Sequence, residues 1–511
     1  MSEVNARVAR GVAALYLAGI VSLVLNTIFL ILLANYSAQE DVGLVNFLNV
    51  VLVSGATLGV LALPLVGSGI VATPPAVARF LSPTGGEGAP SGRRVYLLSL
   101  AVCAAISTSI VLVASYAPVA EIVAGKANSG AVFAACVDAM VYAFAQLGAY
   151  ALLGTDRATY AGKVIVLSVV LRYAFASALL LAKWGPQGVF IGFALGDLVL
   201  ALGANAQALK LTSNPVNRGS MGPVMKYMTS VFFAALMGLA ISQTDKLLAY
   251  LKLGLPDLAV YTIATTGAAV ASFAPSAATN VLVPALSNYG NDQAKKLELL
   301  RVYTRHISLS AIPIGFELAA VSPFLLRVFG DAYAEGAEVM AVTAISISFT
   351  AIASVYASIL LVDDKAHHFT LSNLLGLGAL VGVAVFAVPA YGFFGIALGR
   401  SAMLFTMTGA VSYFVWRSKM LVLDKEAYVK SLAASILTSI LMFSVLSLGD
   451  NLNLGRYLLI GSSIAMIPLG FAYYLLIMKL FRAYTEEDMD FIDTLLPKWL
   501  TVLSKLARRL L

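Results

Sequence analysis

The chain has 511 residues, of which 60% are hydrophobic and only 12% charged, and its mean hydropathy is +0.89. A soluble globular protein does not carry so apolar a composition. The formal net charge of +7 comes from where basic residues gather between apolar runs, as described next, and marks no nucleic-acid-binding patch.

Apolar runs of about 20 residues, each long enough to cross roughly 30 Å of hydrocarbon, recur from end to end. Fourteen are expected, the first near 11–34, the seventh near 224–250, the tenth to twelfth near 338–361, 370–390 and 393–415, and the last near 456–478. The first follows Arg7 and Arg10, as in a signal peptide, but it is too long and lacks a small-residue cleavage site, so it counts as a span. With the N-terminus inside, 25 of the 33 Lys and Arg residues fall on the cytoplasmic side and five outside. Arg172, Lys246 and Arg400 remain at membrane depth. This asymmetry predicts a multi-pass protein of the cytoplasmic membrane with both termini cytoplasmic. The segment after the second run, rich in Pro and Gly, is expected inside, and the turn at Lys252–Asp257 outside. Cys103 and Cys136 fall at different depths of adjacent spans, which argues against a disulfide.

The sequence repeats itself. Pro118-VAEIVA-Gly125-Lys-Ala127 returns as Pro323-FLLRVF-Gly330-Asp-Ala332. Leu152-Leu153-Gly-Thr-Asp156-Arg157-Ala158 returns as Leu360-Leu361-Val-Asp-Asp364-Lys365-Ala366. Gly192-Phe-Ala194-Leu195-Gly196-Asp197 returns as Gly395-Ile-Ala397-Leu398-Gly399-Arg400. The offsets are 205, 208 and 203 in one order, so six spans are duplicated in the same orientation. The expected organisation is an all-α protein with a six-helix lobe over 1–210, a second over 211–428, two further spans over 429–480, and a tail over 481–511. In that tail, beyond Pro497, Trp499, Leu503, Leu506 and Leu510 share one face, as in a helix lying on the anionic inner leaflet.

The stretch from Ile241 to Ser287 combines rare features. Gln243-Thr-Asp245-Lys246 lies in apolar surroundings, and an Ala/Thr/Ser-rich run follows with Pro275 and Asn280 inside it. Ionisable groups at membrane depth suggest a functional site, and small residues around a proline suit a helix lining a polar cavity.

With these pieces, the chain resembles the polysaccharide-transport flippases of the MOP superfamily, the O-antigen (Wzx-type) and related lipid-linked oligosaccharide flippases. The resemblance rests on Gln243-x-Asp245, Val260-Tyr261-x-x-Ala264, Pro284, Phe329-Gly330-Asp-Ala-Tyr333, and the acidic stretch before Pro497. It implies two six-helix lobes around a central cavity, and movement of a polyprenyl-(pyro)phosphate-linked glycan from the inner to the outer leaflet by alternating access. It also implies a coupling ion, proton or sodium, and a monomer working beside glycan-assembly enzymes.

Such a substrate needs counter-charge for its phosphates and a polar route for its sugars. Substrate contacts are therefore sought at Lys246, Arg400, Arg172, Gln243 and Asn280, and ion coupling or charge pairing at Asp245, Glu317, Asp197 and Asp138. Arg172 and Asp197 lie at similar depths on either side of the turn near Trp184, so a buried pair is the plainer reading and a phosphate ligand the other. Asp138 is a spare acid nearby. For Lys246 and Arg400 two readings stay open: an Asp245–Arg400 pair, or cations facing the cavity. Glu317 could pair with a cation, carry a coupling proton, or serve as a hydrogen-bonded structural acid.

No set of His, Cys and Asp has ligand spacing, so neither a metal nor a cofactor is expected. No enzymatic activity is expected either, because no run of sequence suits a large external catalytic loop. The competing function is a cation-coupled drug or metabolite exporter of the MATE type, against which stand the count of 14 spans and the cationic candidates.

Overall fold

The computed structural model describes residues 3–61, 92–114, 129–155, 157–211, 222–272, 275, 282, 286, 289–290, 292–363, 365–452 and 455–483. The described residues form helices and turns. In chain order these are α1 (Glu3–Tyr36), α2 (Gln39–Leu61), α3 (Gly92–Ala114), α4 (Ser129–Gly154), α5 (Ala158–Leu181), α6 (Gly185–Leu211) and α7 (Gly222–Leu253). Then follow α8 (Leu255–Ala268), α9 (Gln293–Leu325), α10 (Ala337–Thr350), α11 (Ile352–Val362), α12 (Ala366–Arg417), α13 (Lys425–Asn451) and α14 (Arg456–Leu480). Among the described residues eight helices are long and apolar enough to span a membrane, and nine if the bent pair of α10 and α11 is one span. Large apolar side chains stay exposed along them, among them Leu202, Phe386 and Leu469, as a lipid-facing surface requires. The chain divides into two compact units, Met1–Ala259 and Val260–Leu511.

In the first unit α5 and α6 form a tight hairpin. Lys183 and Gly185 take positive φ at its turn. A Cβ on Gly192 would overlap the backbone of Ala176, and one on Gly196 the backbone of Arg172. These two glycines, four apart, let the helix axes approach closely. Phe29 of α1, Tyr173 of α5 and Phe193 of α6 cluster with ring centroids 5.4–5.8 Å apart. Buried Tyr96 of α3 donates to Asn205 Oδ1 of α6, and Asn205 Nδ2 donates to the Phe144 carbonyl of α4 at 2.9 Å, so one amide ties three helices. Cys103 and Cys136 are free thiols.

The second unit is built on α9, whose 33 residues give a length of about 50 Å. Pro313 and Pro323 lie inside it, and each removes an N–H that would have served the carbonyl four residues earlier. Both carbonyls find hydroxyls instead. Tyr474 of α14 donates to Leu309 O at 3.0 Å, and Ser322 Oγ to Ala319 O at 2.9 Å. Ser431 of α13 donates to Ser308 O at 3.0 Å and sits 2.8 Å from the Tyr474 hydroxyl. The helices α13 and α14 thus pack on α9 at its proline break. At the start of α13, Arg305 of α9 bonds Asp424 and the Ala483 carbonyl, each at 2.6 Å. Near the end of α13, Asp450 accepts from both guanidinium nitrogens of Arg327 at 2.8 and 2.9 Å. Arg456 donates twice to the Arg327 carbonyl.

The tenth apolar run, expected as one helix, is broken: α10 and α11 meet at Ala351 with a 44° bend. Ser346, Thr350 and Ser354 each turn a hydroxyl back onto a carbonyl three or four residues earlier, which competes with the helical ladder and bends it. The eleventh and twelfth runs are the two arms of α12. Its 52 residues fold back at Gly392, where φ is 54° and ψ −133°. Hypothetical Cβ atoms on Gly376, Gly395 and Gly399 would strike the opposite arm, at Met403 and Met407, at Ala387 and Val388, and at Leu380 and Ala384.

One motif pair, 208 residues apart, shares a backbone turn. Thr155 N–H bonds Ala151 O and Arg157 N–H bonds Leu152 O, while Asp363 N–H bonds Ile359 O and Lys365 N–H bonds Leu360 O. Arg157 (φ −103°, ψ 32°) and Lys365 (φ −99°, ψ 32°) then start the next helix with the same backbone turn.

Candidate functional sites within the two units

The first unit holds a buried charge cluster. Arg172 Nη1 lies 2.5 Å from Asp197 Oδ2, and Arg172 Nη2 lies 3.8 Å from Asp138 Oδ2. Asp138 is wholly buried, Asp197 is 4% exposed, and Ser168 Oγ is 3.5 Å from Asp197 Oδ1. The guanidinium rests over the Phe193 ring at 4.2 Å and faces Tyr142 at 5.8 Å, a cation–π setting that offsets part of its desolvation. Its position follows from the hairpin, because Gly196 packs on the Arg172 backbone and Asp197 comes one residue later. Depth counting from the turn foretells the Arg172–Asp197 contact. The place of Asp138, on α4, follows only from packing.

The α7–α8 corner carries the Gln243–Lys246 group. Gly254, with φ +96°, turns the chain between the helices, within the predicted Lys252–Asp257 turn. A Cβ on Gly43 of α2 would overlap the Leu255 carbonyl, Gln39 donates to Pro256 O at 3.3 Å, and Phe47 stacks on Tyr250 at 3.8 Å. Asp245 is fully buried and accepts the Lys246 N–H at 2.9 Å, and Lys246 is half-buried. Gln243 Oε1 is buried with no hydrogen-bond partner. Asn280 lies outside the described residues.

In the second unit, Arg400 is half-buried on the second arm of α12, next to Ser401, whose hydroxyl meets Ser346 of α10 at 2.8 Å. Glu317, 3% exposed, keeps Oε1 buried with no hydrogen-bond partner. The Arg305–Asp424 and Arg327–Asp450 bonds join positions 119 and 123 apart, so α9 and α13 run parallel. Thr438 of α13 is likewise fully buried with an unpartnered hydroxyl. Thr438, Tyr474 and Ser431 escape a search of the sequence for charge, because neutral hydroxyls in apolar helices carry no such signal.

Residues 92–338 match a protein family described as polysaccharide biosynthesis protein. No curated protein matches the sequence. Among solved structures, the lipid II flippase MurJ in an inward closed conformation superposes with a TM-score of 0.70 at 14% identity, over 91% of this chain and 98% of that one. An inward-facing multidrug resistance MATE family transporter gives 0.60 at 17% identity, over 78% and 94%. A MOP superfamily transporter from Pyrococcus furiosus gives 0.53 at 17% identity, over 80% and 95%. The chain is an all-α, multi-pass membrane protein with the fold of the MOP superfamily transporters. The family match over residues 92–338, just under half of the chain, is of a kind with the resemblance carried by its motifs.

Proposed function

We propose that this protein is a flippase that moves a lipid-linked oligosaccharide, carried on a polyprenyl (pyro)phosphate, from the inner to the outer leaflet of the cytoplasmic membrane by alternating access. The observation that carries the reading is the sequence match to polysaccharide biosynthesis proteins over residues 92–338 on a fold shared with a lipid II flippase. It works as a transporter, making and breaking no covalent bond in its cargo. Lys246 and Arg400 are proposed as phosphate contacts, each a cation held within an apolar helix, where desolvation strengthens its attraction for an anionic head. Gln243 and Asn280 are assigned to the sugar. Both termini are assigned to the cytoplasm.

Transport of a fluorescent lipid-linked oligosaccharide in reconstituted vesicles tests the reading. Wild-type protein should equilibrate the probe between leaflets, Lys246→Ala and Arg400→Ala should each reduce the rate at least tenfold, and Lys246→Arg should keep part of it. Wild-type vesicles that leave the probe in one leaflet would overturn the function, and full activity in both alanine variants would remove these cations from it. The likeness to MATE transporters favours one alternative, a cation-coupled exporter. Efflux of cationic drugs by cells making the protein, without glycan flipping, would select it.

A further inference from the structure

The Asp138–Arg172–Asp197 cluster does not balance. It holds two carboxyls and one guanidinium, and the nearer acid already engages Arg172 at 2.5 Å. Asp138 is 3.8 Å from the same guanidinium, is wholly buried, and makes no hydrogen bond through either oxygen. Both carboxyls thus lie within 4 Å of one guanidinium. The ionisable groups facing the cluster are Tyr142 on α4 and Tyr173 on α5. On the other helices packed against α4, the charged residues Glu40, Asp41, Arg93 and Arg94 sit in first turns, away from this depth. A second carboxylate left charged in such a setting is expensive, and like charges that share a site do not both ionise.

We infer that Asp138 and Asp197 together bind one exchangeable proton, with Arg172 as fixed counter-charge, and that this proton is the coupling ion of transport. Loading forms one O–H bond on a carboxyl oxygen and makes the cluster neutral. Release breaks that bond, sends the proton to water and leaves the electron pair on the carboxylate, so the cluster is net negative and stable only where water reaches it. The α5 backbone is locked against α6, at Arg172 by Gly196 and at Ala176 by Gly192, so access for water has to open along α4, which carries Asp138. The coupling role rests on the flippase reading; the proton site does not.

Two measurements separate them. The first is infrared difference spectroscopy of the full chain in nanodiscs, titrated across the neutral range. Wild type should show one buried protonated carboxyl that titrates, indifferent to excess sodium at constant pH. Asp138→Asn and Asp197→Asn should each abolish it, because either leaves a single acid for a single arginine. A wild type with no such band, a band that persists in both variants, or its displacement by sodium would overturn the inference. The second is flipping under an imposed pH gradient. The gradient should accelerate wild type severalfold and leave Asp138→Asn unmoved from its own gradient-free rate. An equal response in the variant would overturn the coupling role, whereas failure of wild type to flip at all would overturn the flippase reading and leave the infrared result standing.

Discussion

At the scale of single residues, the buried groups differ in how replaceable their partners are. Removing Arg172 strands two acids, whereas removing Asp197 leaves Asp138 beside the guanidinium. Arg172→Ala should therefore cost about 3–5 kcal/mol and Asp197→Ala clearly less, and the charge exchange that combines Arg172→Asp with Asp197→Arg should recover part of the loss. Thermal melting of the purified variants measures all three; equal melting temperatures for the two alanine variants would mean that Asp138 does not substitute. The sequence makes the first pair legible because turn counting fixes depth. It leaves Asp138 as a nearby spare, since which face of α4 turns inward depends on contacts with α3, α5 and α6 together. For Glu317 the sequence shows only a midspan acid, and its burial without a hydrogen-bond partner on Oε1 emerges only from the packing.

At the scale of helices, small residues decide how close two axes come. Gly196→Ala would push a methyl into the Arg172 backbone, whereas Gly378 has nothing within 4 Å of a Cβ. The first should cost about 1–3 kcal/mol through overpacking, and Gly378→Ala should stabilise by up to about 1 kcal/mol through helix propensity. Both are measurable as shifts in melting temperature. The start of α13 offers a pH-dependent case. Burial pushes the Asp424 carboxyl up, but the Ala427 N–H it caps and the Arg305 guanidinium outweigh that effect and hold it below the usual carboxylate range. A group lowered in the folded state adds stability at neutral pH and loses it as pH falls through the lowered value. Asp424→Asn keeps the cap and loses only the charge toward Arg305, so it should cost up to about 1 kcal/mol at neutral pH and nothing in strong acid, where melts of variant and wild type should converge. Hairpin turns and spans are legible in the sequence because glycine, proline and apolar length report on the backbone directly. The bend at Ala351 is hidden, because Ser and Thr read as ordinary small polar residues until their hydroxyls are seen on the carbonyls behind them.

At the scale of the whole chain, the charge asymmetry of the loops predicts that Lys252 faces outward and Lys419 inward. Both are exposed at helix ends. In a protein with Cys103 and Cys136 replaced, a cysteine at position 252 should react with an impermeant thiol reagent in intact cells and one at 419 only after lysis; the reverse pattern would invert the topology. Of the three motif pairs in the sequence, one has a local match in the structure, the same backbone turn made at 151–157 and at 359–365. The helix α14 has a bearing on mechanics. Pro313 takes a rung out of α9, and the Tyr474 hydroxyl from α14 fills the gap. A rod with a missing rung flexes there unless something braces it, so α14 acts as a splint whose grip sets how freely the two halves of α9 can bend.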